Sequence, residues 1–157
     1  QGNDPIVASM LLAVLTFLHV LGATIWTGGH LVLATSVLPR ALSARDPESI
    51  QTFEQGFERV GIPALLVQVV TGLSLGWLYH PSLASWFSLA DHTSQTLVAK
   101  LVLLAITVAL AAHARLSIIP NLTAERLPTL AVHIVGVTTV SVLFVLVGVN
   151  HRLPLLF

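Results

Sequence analysis

Long apolar stretches, broken by short clusters of charged and turn-forming residues, set the layout of this chain. A transmembrane helix needs about 20 mostly apolar residues, and four stretches qualify: 6–38, which holds no Asp, Glu, Lys or Arg, then 60–79, 96–119 and 129–149. The pattern predicts an all-α fold, an integral membrane antiparallel four-helix bundle, as a single domain over residues 1–157. Asp46-Pro47-Glu48 reads as an N-cap with proline at the first helical position. The second helix is therefore expected to begin in water and to enter the bilayer near Gly61, with a kink at Pro63. The 80–95 loop carries Trp86 and Phe87, suited to anchoring at the membrane interface. Gly72 with Gly76, and Ala105 with Ala109, place small residues four apart, which lets helix backbones approach closely in lipid.

Composition sharpens this picture. Only 9% of the 157 residues are charged and 55% are hydrophobic, against about 25% charged in a soluble domain. Seven Lys plus Arg balance seven Asp plus Glu, so no basic field exists to grip nucleic acid. The chain has no cysteine and one methionine, Met10. That excludes disulfides, thiolate nucleophiles, Cys-ligated zinc and iron–sulfur clusters. No nucleophile–base constellation or phosphate loop is visible, so an enzymatic activity would have to be redox chemistry. Residues 1–5 lack the basic flank of a secretory signal, and the first span is expected to be retained. Arg40, Arg45, Arg59, Arg115 and Arg126 fall on one side of the bilayer, with Arg152 and Lys100 towards the other. The positive-inside rule then puts both termini and the 80–95 loop outside, in the periplasm if the membrane is a bacterial inner one.

Ionisable groups at membrane depth are costly and are functional candidates by default. His19 and His30 share a helix face with Gly22, Trp26, Gly29 and Leu33, and the glycines leave room for a flat macrocycle. His30 lies ten residues before Arg40, His113 seven before Pro120 and His133 five after Pro128, which predicts three imidazoles at one level of the inner half. His19 lies further outward, near Lys100 or the rim residues His80, His92 and His151. Histidines from different helices can hold haem b. One reading is therefore one or two haems b ligated by His19, His30, His113 and His133, with Trp26, Gly22, Gly29 and Lys100 around them. Electrons would then pass through the membrane, with quinol or a redox protein as partner. Lys100 either neutralises an anionic group or snorkels to the headgroups. A second reading is a copper permease with an outer mouth of His80, His92 and His151, joined by Asp4 and Asp91, and with His19 and His30 as stepping stones. A third is an accessory subunit, in a homo-oligomer or larger complex, whose histidines bond neighbouring helices. Glu54 and Glu58, one turn apart beside Arg59, read as a solvated helix face.

The segment 18–30, Leu-His-Val-Leu-Gly-Ala-Thr-Ile-Trp-Thr-Gly-Gly-His, followed by Leu38-Pro39-Arg40, resembles the first helix of small CopD-type copper-resistance membrane proteins. Phe57-Glu58-Arg59-Val60-Gly61-Ile62-Pro63 up to Thr71-Gly72, then Lys100-Leu101 and His113-Ala114-Arg115-Leu116 with Pro120, extend the likeness over nearly the whole chain. This resemblance implies copper uptake or tolerance in a bacterial inner membrane. His19, Trp26 and Gly29 also resemble helix one of the HemJ family of haem biosynthesis, which implies that such a scaffold can hold haem. That second likeness is confined to helix one and to a basic residue and a histidine in helix three.

Overall fold

The structure is a computed structural model that describes residues 4–152, with Arg152 placed by its backbone alone. Residues 1–3 and the side chain of Arg152, used above for the signal and orientation arguments, lie outside the described residues. Helix α1 (Pro5–Val32) runs through a π-helical segment (Leu33–Val37) into α2 (Leu38–Ala44). Next come α3 (Pro47–Tyr79) and the short α4 (Leu83–Trp86). Helix α5 (His92–His113) passes into a second π segment (Ala114–Ile118) and a 3-10 turn (Ile119–Asn121). A further 3-10 turn (Ala124–Arg126) leads to α6 (Leu127–Arg152). Among the described residues four helical runs are long and apolar enough to cross a membrane, and the protein is an all-α membrane bundle.

Each of three long helices starts on an aspartate. Asp4 accepts the Ile6 N–H at 3.0 Å, Asp46 the Glu48 N–H at 3.0 Å, and Asp91 the N–H groups of Thr93 and Ser94 at 2.9 and 3.0 Å. Such caps satisfy amides that the first helical turn leaves without partners. The Asp46 cap is the one expected from sequence. Arg45, at φ 54°, closes α2 in the left-handed conformation, and the Asp46 N–H turns back to the Ala41 carbonyl at 2.9 Å.

Both π segments end two residues before a proline, Val37 before Pro39 and Ile118 before Pro120. Proline has no N–H and crowds the preceding turn, and a widened turn lets each helix continue past it. This corrects the expected end of the first span near Leu38, because the helix carries Pro39 and Arg40 on to Ala44. Helix α3 is continuous through Pro63.

Helix α1 packs mainly along α3 and also on α6, while α5 packs along α6; α3 and α5 scarcely touch. The apolar core sits at the end of the bundle that the arginine count is expected to place inside, termed the inner end and its opposite the outer rim, where Leu33, Leu38, Ala41, Ile50, Ile118, Leu127, Leu130 and Ile134 gather around the two π segments. Elsewhere Val14, Phe17, Leu66, Val102 and Val132 face outward, as expected where the solvent is lipid. Contact there depends on small residues. A Cβ on Gly22 would lie 2.7 Å from the Ala64 carbonyl oxygen, and one on Gly76 would lie 3.0 Å from Leu97 and 3.2 Å from Trp86. Ala105 and Ala109, by contrast, are exposed and mediate no packing within this bundle. Trp86 also departs from expectation. The α4 turn folds it inward to 6% exposure, where its Nε1–H donates to the His80 carbonyl at 2.8 Å. Phe87 remains 61% exposed, as an interfacial anchor requires.

Candidate histidine sites in the membrane

Of the intramembrane histidines, the bundle brings His113 of α5 and His133 of α6 together. Their nitrogens, Nδ1 and Nε2, are 2.8 Å apart, and the rings stack with centroids 4.8 Å apart at 22°. His133 Nδ1 lies 3.0 Å from the Thr129 carbonyl, which can only accept. In the neutral pair Nδ1–H of His133 therefore donates to Thr129, His113 Nδ1–H donates to His133 Nε2, and the His113 Nε2 lone pair is left available. The pair lies on an exposed side of the α5–α6 contact.

His30 is not level with that pair. The Thr138 hydroxyl donates to the His30 carbonyl at 3.2 Å, which sets His30 beside a residue five positions outward from His133, about 7.5 Å along the helix. Depth measured from Arg40 fails because α1–α2 runs on to Ala44 through a π turn. The His30 Nδ1–H donates to its own helix, at the Trp26 carbonyl 2.9 Å away, and the ring rests among aromatics. Trp26 is 4.4 Å from it and Phe57 meets it edge-on at 5.6 Å, centroid to centroid. Phe57 fills the space beside Gly29 and Gly61. No sequence period marks Phe57, although Gly29 across the α1–α3 contact and Gly61 one turn along its own helix leave the space it fills.

His19 lies one layer further out, between α1 and α3. Its Nδ1–H donates to the Gln68 carbonyl at 2.9 Å and approaches the Thr71 hydroxyl at 3.2 Å. The ring fills the notch of Gly72, where a Cβ would come within 2.9 Å of it. The Lys100 ammonium, by contrast, faces α6, 3.8 Å from a Cβ built on Gly148.

At the outer rim the histidines form two pairs. His80 Nε2 lies 3.3 Å from Asp91. His92 and His151 stack at 5.8 Å and 6°, Tyr79 meets His151 edge-on, and His92 Nε2 is 2.9 Å from the Asn150 carbonyl. Among the described residues no three His, Asp or Glu side chains converge as a metal group; Asp4 sits apart, capping α1. The Ser94 N–H, followed by His80, holds the Asp91 carboxyl below the usual carboxylate range. A depressed folded value makes this contribution present above the unfolded value of about 3.9 and lost only as pH falls through the lower folded one. The first turn of α5 is thus expected to stay closed at pH 4 and to open below it. Hydrogen exchange at Thr93 to Gln95 checks this, and Asp91→Ala should open the same amides at neutral pH.

At the inner end, Arg115 of the second π segment pairs with Glu58 of α3. The two carry side-chain exposures of 56% and 33%. Gln51, Glu54 and Ile119 complete a polar cleft with them. The sequence reads Glu58 as part of a solvated helix face beside Arg59; its ion-pair partner lies 57 residues away, in the second π segment.

Haem b does not fit this packing. The Gly22 space is taken by Ala64 and Gln68 and the Gly29 space by Phe57. His113 and His133 are bonded directly to one another, whereas a bis-histidine haem needs two nitrogens facing across an iron.

Helix order, membrane character and the inner-end motifs of α3 and α5 meet in one comparison. A family model for Copper resistance protein D matches residues 51–150. The chain belongs to the CopD family. The match runs from the helix that holds Phe57 and Gln68 to Asn150 at the outer rim, and so covers both members of the His113–His133 pair. No curated protein and no solved structure matches significantly. CopD membership supports the copper side of the sequence reading, whereas the likeness of α1 to HemJ stands on its residues alone.

Proposed function

We propose that this CopD protein handles copper ions as cargo, bringing them through a bacterial inner membrane with imidazoles as the ligands. Support comes from the family and from the supply of donors: seven histidines, no cysteine, and a lone methionine that is exposed on α1. The observation that carries the reading is the His113–His133 pair. Two neutral imidazoles from different helices, already at hydrogen-bond distance, are suited to a copper ion. If His113 moves its proton from Nδ1 to Nε2, the two nitrogens that now share a hydrogen present lone pairs to each other. A copper ion can replace that hydrogen after a small separation of the rings, with no net proton released. Thr129 holds His133 in the tautomer that keeps Nε2 free for the metal.

The outer rim supplies the entrance in this reading, with His80, Asp91, His92 and His151 within one loop-and-helix-end region. Orientation follows the arginines, so that the pair and the Glu58–Arg115 cleft face the cytoplasm. Electron transfer from quinol depended on haem and forms no part of this proposal. The test is transport by the full chain in liposomes enclosing a copper-sensitive dye. Dye response should require the protein and external copper, and the same response to zinc as to copper would overturn the assignment of the cargo.

A further inference from the structure

Among the described residues the cation at Lys100 has no counter-ion. None of the seven Asp and Glu side chains, all of them described, lies within ion-pair distance of it. It stands eight residues into α5, about 12 Å along the helix from its outer end. Its ammonium is turned towards α6, not to the rim: a Cβ built on Gly148 would meet the Lys100 Nζ at 3.8 Å and, among the described residues beyond its own helix turn, no other atom within 4 Å. The ammonium thus sits at ordinary contact distance from α6 at Gly148, where the absent side chain leaves nothing between the two. A second observation lies one turn outward on the same helix. The Thr96 hydroxyl is buried, at 4% residue exposure, and has no hydrogen-bond partner. Two donors on neighbouring turns thus lack acceptors, and an ionised group inside a bilayer is costly unless compensated.

We infer that Lys100, with Thr96 above it and Gly148 opposite, forms a site for the carboxylate of a long-chain acid. Lys100 donates to one carboxylate oxygen and the Thr96 hydroxyl is the donor nearest the other. The apolar body of the ligand is dictated by the surroundings, since Val145, Leu146 and Val149 around Gly148 are all exposed to lipid. This site is separate from the His113–His133 pair and does not depend on the cargo being copper.

The experiment is saturation binding of radiolabelled palmitate to the full chain in detergent, with hexadecanol and acetate as competitors. Palmitate should bind saturably, and both hexadecanol, which lacks the charge, and acetate, which lacks the tail, should compete at least about tenfold more weakly. Lys100→Gln should weaken binding about tenfold, whereas Lys100→Arg should retain it. Gly148→Leu sets a side chain against the ammonium without removing the charge and should also abolish binding, which guards against a folding defect peculiar to Lys100. Equal competition by hexadecanol or acetate, or undiminished palmitate binding by Lys100→Gln or Gly148→Leu, would overturn the site.

Discussion

Replacing His113 and His133 together by alanine should reduce copper movement through the reconstituted protein by about tenfold or more, because a metal held by two nitrogens loses its whole ligand set. The single changes are not expected to be equivalent. His133→Ala removes the residue whose Nδ1–H is fixed on Thr129 and whose Nε2 is presented to α5. His113→Ala leaves that half of the pair in place. His133→Ala should therefore approach the double variant, and His113→Ala should retain a measurable fraction. Helix stability should change little in either, since the pair is exposed. Transport rates of the three variants in the liposome assay, beside their unfolding midpoints, check both statements. Full transport by the double variant would remove the pair from the route.

The second large effect is structural and falls at Gly22. Its missing Cβ would sit 2.7 Å from the Ala64 carbonyl oxygen and 3.1 Å from Gln68 Cβ. The Ala64 carbonyl and the Gln68 N, at 3.3 Å, are backbone of α3 and cannot swing away as a flexible side-chain tip can. Gly22→Ala should push α1 from α3 and destabilise the bundle by about 1–3 kcal/mol, the usual cost of overpacking. It should also disturb His19, whose Nδ1–H is anchored on the Gln68 carbonyl across the same contact. Gly28 is the internal control. A Cβ there meets nothing within 4 Å, so Gly28→Ala should be neutral or gain up to about 1 kcal/mol from helix propensity. Unfolding of the two variants in mixed micelles compares them directly, and similar behaviour would refute the packing assigned to α1 and α3.

That contrast shows what could be read from the chain. The four spans, the Asp46 cap and the membrane class follow from hydropathy and local capping chemistry, which depend on neighbouring residues alone. Small residues on α1 were also legible as a feature, but their use was not: Gly22 and Gly29 suggested room for a cofactor, whereas Ala64, Gln68 and Phe57 occupy it. Rotation of one helix against another decides such points, and in an apolar chain periodicity leaves rotation open. The prolines at 39 and 120 were visible, yet the helix continues past Pro39 and Arg40 to Ala44, so depth counted from Arg40 does not match depth counted from Pro128 and His30 is not level with His133. Long-range pairs such as Glu58–Arg115 and His113–His133 depend on that same depth and rotation.

The most direct measurement of the central proposal is metal quantification on the purified full chain after copper loading, with a visible spectrum of the same sample. Bound copper that is lost in the His113→Ala/His133→Ala variant, with a spectrum free of a haem Soret band, is the predicted result. Iron with a Soret band, or copper retained in full by that variant, would contradict it.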